Sequence, residues 1–317
     1  MSLRTRSVVI VGPTAVGKTE LALDLAESMG GEIVSIDSRQ IYRELDIGTA
    51  KPSARQRRRV RHHMVDLIGP GQALSAGLFG AAARATVESL EASGRTSLLV
   101  GGSGLYLTAT IDGLFVAPQP DSALRERLAI RLREHGTTAL YDDLRRRDPA
   151  AASEIEPGDG VRILRALELT LADGRQRAER WETDGGHGLR AMPLMLCLTR
   201  TRDSLYRRID KRTVEMFEAG WPQEVQRLLE KGLAPGAAGL QSLGYAEILE
   251  HLAGGLPQNR AIEAIQRRTR RFAKRQMTWF RRDRRLRWLD LDRVGSSGAR
   301  DRILRQWKTA GTLPDDN

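Results

Sequence analysis

Cysteine occurs once in the 317 residues, at Cys197. A single thiol closes no internal disulfide and builds no multi-cysteine zinc cluster, so a secreted disulfide scaffold and a zinc finger or ribbon are both excluded. Long apolar runs are missing as well. The run nearest the N-terminus, Val8-Val9-Ile10-Val11, is far short of the ~7–15 residues of a signal-peptide core. No later stretch reaches the ~18 apolar residues of a membrane span. Internal repeats and low-complexity segments are absent beyond one arginine-rich run. The expectation is a cytoplasmic chain with no membrane partner. At 40% hydrophobic and 29% charged residues its composition is that of a globular protein, long enough for a sizeable core.

What the chain has in excess is positive charge, 51 Lys and Arg against 40 Asp and Glu, for a net +11. It is unevenly spread. Twelve basic residues (Arg260, Arg267, Arg268, Arg270, Arg271, Lys274, Arg275, Arg281, Arg282, Arg284, Arg285 and Arg287) and only Glu263 and Asp283 fall between Arg260 and Arg287. The rest of the chain is close to neutral. Such a concentration reads either as one polyanion-facing element or as a solvated arginine-rich helix.

Periodicity divides the chain into three parts. Ser7–Val11 reads as a strand, Gly12–Lys18 as a turn and Thr19–Ala26 as a helix that Gly30-Gly31 stops. Further short apolar strands, Glu32–Ile36 ending at Asp37 and Ser97–Val100 ending at Gly101-Gly102, alternate with helices. That pattern predicts a parallel sheet with helices on both faces and ligands at the carboxyl ends of its strands. Beyond Pro118 and Pro120 the pattern turns helical: Asp121 or Ser122 caps a helix that Gly136 ends, and Val161–Ala172 forms another before Gly174. Arg175–Arg190 reads as a loop, and Leu194–Leu198 returns to strand. Helices follow at about Ser204–Ala219, Pro222–Lys231, Ser242–Leu252 and Pro257–Arg282. The division expected is an α/β core over residues 1–117, a helical insert over 118–190, and completion of the core with basic C-terminal helices over 191–317.

Gly12-Pro13-Thr14-Ala15-Val16-Gly17-Lys18-Thr19 matches the phosphate-loop pattern G-x-x-x-x-G-K-[ST], in the strand-to-helix context that the pattern requires. Its backbone N–H groups and the helix N-terminus form an anion pocket, Lys18 adds a charge and Thr19 a hydroxyl for magnesium. The loop alone does not say whether it holds a nucleotide or another phosphate compound. A nucleotide hydrolase of this class would show a strand ending in aspartate for the metal, but Ser97–Val100 runs into glycines. The strand-end carboxylate is Asp37, a general base or the cap of a turn. His62-His63 with Asp66 has no evident third ligand and adjacent histidines point apart, so hydrogen bonding is the better reading than metal. Trp279 and Phe280 read equally as stacking platforms for bases or as core anchors.

In order along the chain stand Gly12–Thr19, Asp37-Ser38-Arg39-Gln40-Ile41-Tyr42-Arg43, Asp46-Ile47-Gly48-Thr49-Ala50-Lys51-Pro52, His62–Asp66, Gly101–Tyr106, Arg162–Glu168, Gln241–Tyr245 and Lys274–Arg281. This series closely resembles the bacterial tRNA dimethylallyltransferases, over about Val8 to Trp288. The resemblance implies a fold related to phosphate-loop kinases and transfer of a dimethylallyl group from dimethylallyl diphosphate, without ATP consumption. The acceptor would be the exocyclic amine of the adenosine on the 3′ side of the anticodon in tRNA. On that pattern Asp37 would be the base and Ser38, Arg39 and Gln40 would contact the flipped base. Gly12, Pro13, Thr14, Ala15, Val16, Gly17, Lys18 and Thr19 would hold the diphosphate, with Mg2+ at Thr19, and Arg212 would face the leaving group. Ser103, which replaces the family's usual threonine but keeps the hydroxyl, would align with tRNA contacts. So would Arg125, Val161, Arg162, Ile163, Leu164, Arg165, Lys274, Arg275, Gln276, Met277, Thr278, Trp279, Phe280 and Arg281. The partners implied are the tRNA anticodon stem-loop and dimethylallyl diphosphate, with the protein a monomer. The competing reading is an ATP-dependent small-molecule kinase on the same loop, which has no use for the basic helix.

Overall fold

The computed structural model describes residues 7–114, 121–174, 179 and 187–310. Among these residues six parallel strands form one sheet, β1 (Ser7–Val11), β2 (Gly31–Ile36), β3 (His62–His63), β4 (Thr96–Gly101), β5 (Leu194–Thr199) and β6 (Arg287–Asp290), in the order β3-β2-β4-β1-β5-β6. Alternation along β1 decides the two layers. Val8 and Ile10 point into a cluster with Leu21 and Leu25 of helix α1 (Lys18–Met29), Leu205 and Ile209 of α8 (Arg202–Glu218) and Ile303 of α12 (Leu291–Ala310). Val9 and Val11 point the other way, toward α3 (Ala76–Ala92), α4 (Gly104–Ile111), α9 (Trp221–Glu230), α10 (Tyr245–Leu252) and α11 (Gln258–Phe280). A strand buried on both faces is uniformly apolar, as β1 is, and the expected helix-covered parallel sheet is what forms.

Helix α2 (Ala54–Arg59) leads into β3, and α5 (Ser122–Arg147), α6 (Pro149–Ser153) and α7 (Gly160–Asp173) share an apolar cluster of their own around Leu128, Leu140, Leu144, Ile163 and Leu167. Asp121 caps α5, its Oδ1 accepting from Ala123 and Leu124 N–H at 2.9 and 3.2 Å. Gly136 ends the first helical stretch of α5 as expected, with φ 73° and ψ 179°, and a second stretch follows it to Arg147. Gly174 closes α7 as expected, with φ 72°. The loop expected over Arg175–Arg190 falls mostly outside the described residues. The helix expected from Ser242 starts at Tyr245, because Ser242 turns back to donate its hydroxyl to Gly239 O.

His62 and His63 are hydrogen-bonding residues, the first to Val60 O at 2.8 Å and the second to Glu32 Oε2 at 2.6 Å. Among the described residues no helix is long and apolar enough to cross a membrane.

Candidate active site

All strands of a parallel sheet end on the same edge, so register alone brings distant residues together. Val11, Gly101 and Ile36 pair across β1, β4 and β2. The residues that follow them, Gly12, Gly102 and Asp37, therefore open on one edge, joined there by Arg200 after β5. The turn after β4 lies close over β2: Ser103 N donates to Ile36 O at 3.3 Å, and a Cβ on Gly101 would meet that oxygen at 1.9 Å. Only glycine fits there. Ser103 Oγ then accepts Ser38 N–H at 2.9 Å and donates to Ser38 Oγ at 3.2 Å, while Asp37 Oδ1 accepts Arg39 N–H at 2.9 Å. The Asp37 segment is thereby fixed as a turn with its second carboxylate oxygen left over. Gln40 is held from both ends, accepting from Ser35 Oγ at 3.0 Å and donating to Ala50 O at 3.1 Å.

Between β1 and α1 the chain winds into an anion nest, with φ 146° at Gly12, 63° at Ala15 and 114° at Gly17. Left-handed backbone at a non-glycine such as Ala15 is strained and persists where neighbours hold it. Here the carbonyls are held by cations. Lys18 Nζ donates to Gly12 O and Pro13 O, both at 2.9 Å, Arg208 Nε to Ala15 O at 2.7 Å and Arg200 Nε to Val16 O at 2.9 Å. With these carbonyls tied to side-chain cations, loop N–H groups other than that of Thr14, which Gln276 takes, and the N-terminus of α1 are the groups suited to an anion. Arg212 Nη1 donates to Thr14 Oγ1 at 3.4 Å. Burial lowers the Lys18 pKa to about 8, with Asp37 opposing that shift and Arg212 adding to it. Arg212 is likewise lowered by burial. Lys18, Asp37 and Arg212 thus sense one another's charge at one place.

Thr19, at the start of α1, is exposed and its hydroxyl has no partner among the described residues. Those residues hold no group of three His, Cys, Asp or Glu suited to a metal. A lone hydroxyl beside a phosphate nest fits magnesium, which binds through one or two protein oxygens and substrate phosphates while keeping water ligands.

The expected RNA-facing residues divide by exposure. Lys274, Arg275, Thr278, Trp279 and Arg281 are exposed on or just after α11, with Met277 half-buried. Trp279, 38% exposed, lies along Gly104, where a Cβ would come within 2.2 Å of its ring. Phe280 is 1% exposed and Ile163 0%, so both side chains are core residues and the stacking alternative fails for Phe280. Gln276, 7% exposed, is spent inside: its Oε1 accepts Thr14 N–H at 2.9 Å and its Nε2 donates to Gly102 O at 2.8 Å. On α7, Val161 and Arg162 are exposed, and Leu164 and Arg165 half-buried. Arg125 and Arg165 both bind the buried Glu168, Arg125 in two-pronged fashion at 2.5 and 3.0 Å, which ties α5 to α7. A cleft of about 480 Å³ runs between Leu107 and Thr108 of α4, Arg162 of α7 and Trp279, Arg282 and Arg284.

The basic run is also divided. Arg260, Arg268, Arg270 and Arg285 pair with Glu263, Glu247, Asp210 and, for Arg285, Asp112 and Asp283. The other eight have no carboxylate partner among the described residues. Three residues escaped the sequence reading. Arg200 and its anchor Asp292, joined at 2.5 Å, brace the phosphate loop from β5 and α12. Glu224 holds the 46–48 segment by accepting Asp46 and Ile47 N–H at 2.8 and 2.7 Å. Arg200 alone had a legible signal, its place just past the end of an apolar strand.

An anion nest after the first strand, a carboxylate after the second and four cations on the nest mark a phosphate-loop α/β protein. The family model described as IPP transferase matches residues 40–283, and the chain belongs to that family. A tRNA dimethylallyltransferase from Thermomicrobium roseum is 42% identical over 296 residues, covering 93% of this chain and 89% of the relative. One from Koribacter versatilis is 44% identical over 283 residues, covering 89% and 91%. Among solved structures, the full-length tRNA isopentenylpyrophosphate transferase of Bacillus halodurans matches with a TM-score of 0.70 at 34% identity, covering 98% of this chain and 99% of the other. A eukaryotic dimethylallyltransferase acting on tRNA, at 24% identity and a TM-score of 0.73, shares the fold.

Proposed function

We propose that this chain transfers the dimethylallyl group of dimethylallyl diphosphate to the exocyclic amine of the adenosine 3′ to the anticodon in tRNA. The observation that carries the reading is the meeting, on one sheet edge, of a cation-braced anion nest with a carboxylate that has an oxygen to spare. The amine nitrogen bonds to the allylic carbon, the carbon–oxygen bond breaks with its electron pair leaving on diphosphate, and the amine proton passes to Asp37. Loop N–H groups, Lys18 and Arg212 stabilise charge as it builds on the diphosphate. Magnesium, held at Thr19 and the diphosphate, would supply further charge neutralisation there. The target base must leave its stack, at a cost of roughly a few kcal/mol that contacts to the RNA backbone offset. The cations of α11 with no carboxylate partner among the described residues, Trp279 and the helices α5 to α7 as an insert that meets RNA supply them. The protein acts in the cytoplasm, as a monomer on the anticodon stem-loop.

A phosphate-loop kinase would use the same nest but neither the basic helix nor the insert arginines, and the chain belongs to a family of prenyl transferases. The test is incubation with labelled dimethylallyl diphosphate and unmodified tRNA. Label should reach the RNA, and Asp37→Ala should lower the rate by about 10²–10⁴-fold while tRNA affinity stays within a few-fold. ATP turnover with no label on the RNA would refute the reading.

A further inference from the structure

Helix α11 has an inner face made of Ala273, Gln276 and Phe280, spaced three and four apart and all buried. An amide on an otherwise apolar face is there for its partners, since a buried polar group without them is costly. Both ends of Gln276 are satisfied, and each by a different wall of the site. Its oxygen takes the N–H of Thr14 in the phosphate loop, 262 positions away, and its nitrogen reaches Gly102 O in the turn after β4. The contact is close: a Cβ on Gly102 would stand 2.4 Å from Gln276 Nε2. From Gly102 the turn continues to Ser103, which holds Ser38 beside Asp37. From Thr14 the loop continues to the hydroxyl that Arg212 touches. One side chain therefore joins the part that would carry the leaving group to the part that would carry the base. On the same helix, the exposed Lys274, Arg275 and Thr278 face outward on either side of it.

We propose that Gln276 is a positioning residue of the transfer. Its two hydrogen bonds set the spacing between the phosphate loop and the Asp37 segment, and they refer that spacing to the helix that meets RNA. It is a spacer within the site and makes no RNA contact of its own. The inference rests on the proposed prenyl transfer for its kinetic consequence and on Thr14 alone for its structural one. A misplacement of about 1 Å between reacting groups lowers rates by about 10²-fold. Gln276→Met keeps the length and fills the same space without either hydrogen bond, so the fold is retained, and Gln276→Ala removes the side chain altogether.

Both variants should lose about 10- to 100-fold in kcat, with the dissociation constant for tRNA within about two-fold and that for inorganic diphosphate within about three-fold of wild type. Amide hydrogen exchange at Thr14, slow in the wild type, should become fast in both. A Gln276→Met variant with wild-type kcat overturns the proposal, as does a loss that falls on tRNA affinity, which would make Gln276 an RNA contact. If the wild type transfers no prenyl group yet Thr14 exchange still responds to the variants, the functional reading fails and the link between helix and loop stands. If Thr14 exchange does not respond, the link itself is refuted.

Discussion

Replacing Glu224 should separate its hydrogen bonds from its packing. The side chain is 4% exposed, and its Oε2 accepts Asp46 and Ile47 N–H at 2.8 and 2.7 Å. Its Oε1 accepts the Tyr245 hydroxyl at 3.0 Å and, more weakly, Gly48 N–H at 3.4 Å. Burial and the neighbouring carboxylate hold Tyr245 above its ordinary pKa, so the phenol stays protonated and donates. In Glu224→Ala the two partly buried N–H groups lose about 1 kcal/mol each and the fully buried phenol up to about 3, for a total of roughly 3–5 kcal/mol. Glu224→Gln fares better: the amide oxygen keeps the two short bonds and its NH₂ donates to the phenol oxygen, while the Tyr245 O–H and Gly48 N–H lose their acceptor, so the loss is about 1–3 kcal/mol. Against a total stability of about 5–15 kcal/mol the alanine variant is severely weakened. Urea unfolding at constant slope measures both. The 46–48 segment leads to Ala50, whose carbonyl anchors Gln40 three residues from Asp37, so kcat should fall in the same order. An alanine variant within about 1 kcal/mol of wild type, or a glutamine variant as damaged as alanine, refutes the reasoning.

Two further outcomes can be measured. Lys18 holds its proton with a pKa of about 8 when folded against 10.5 as an ordinary lysine. Between those values the unfolded chain binds more protons, so this group adds stability as pH rises through the window, a slope that Lys18→Met should abolish in unfolding measurements. For the same reason kcat/KM for dimethylallyl diphosphate should decline above about pH 8, while kcat holds to higher pH because bound anion keeps the ammonium charged. Neutralising Arg275 and Arg281 together, neither paired with a carboxylate among the described residues, each to glutamine, should weaken tRNA binding and reduce the slope of log affinity against log salt by about one to two. An unchanged slope would mean that neither meets a phosphate.

Much of the fold was legible because its signals are local. A β-branched apolar run before G-x-x-x-x-G-K-T specifies strand, nest and helix through backbone preference and side-chain period alone, and Asp37 at a strand end follows from how parallel sheets present their edges. Where a residue's effect depended on a neighbour close in sequence, as with the Asp121 cap or Gly174, the reading also held. Gly136 held too, its left-handed φ and extended ψ ending one helix, but the second helix directly after it was not legible, because it is its packing, with Leu140 and Leu144 in the insert's apolar cluster, that holds it there.

By itself the sequence determined the phosphate loop, the layered α/β pattern, the concentration of charge near the C-terminus and the family to which these motifs belong. Only the tertiary structure decided which members of those patterns act. It turned Gln276, Ile163 and Phe280 inward from stretches that read as RNA-facing, and it spent Arg260, Arg268, Arg270 and Arg285 on carboxylates, while the other basic residues of the run have none among the described residues. It also brought Arg200, Arg208 and Arg212 from after the insert onto carbonyls and a hydroxyl near the N-terminus. The physical reason is one of range. Backbone preference and amphipathic period act over a few residues, whereas a hydrogen bond between Thr14 and Gln276 exists only once the sheet has closed and its strands have ended on a common edge.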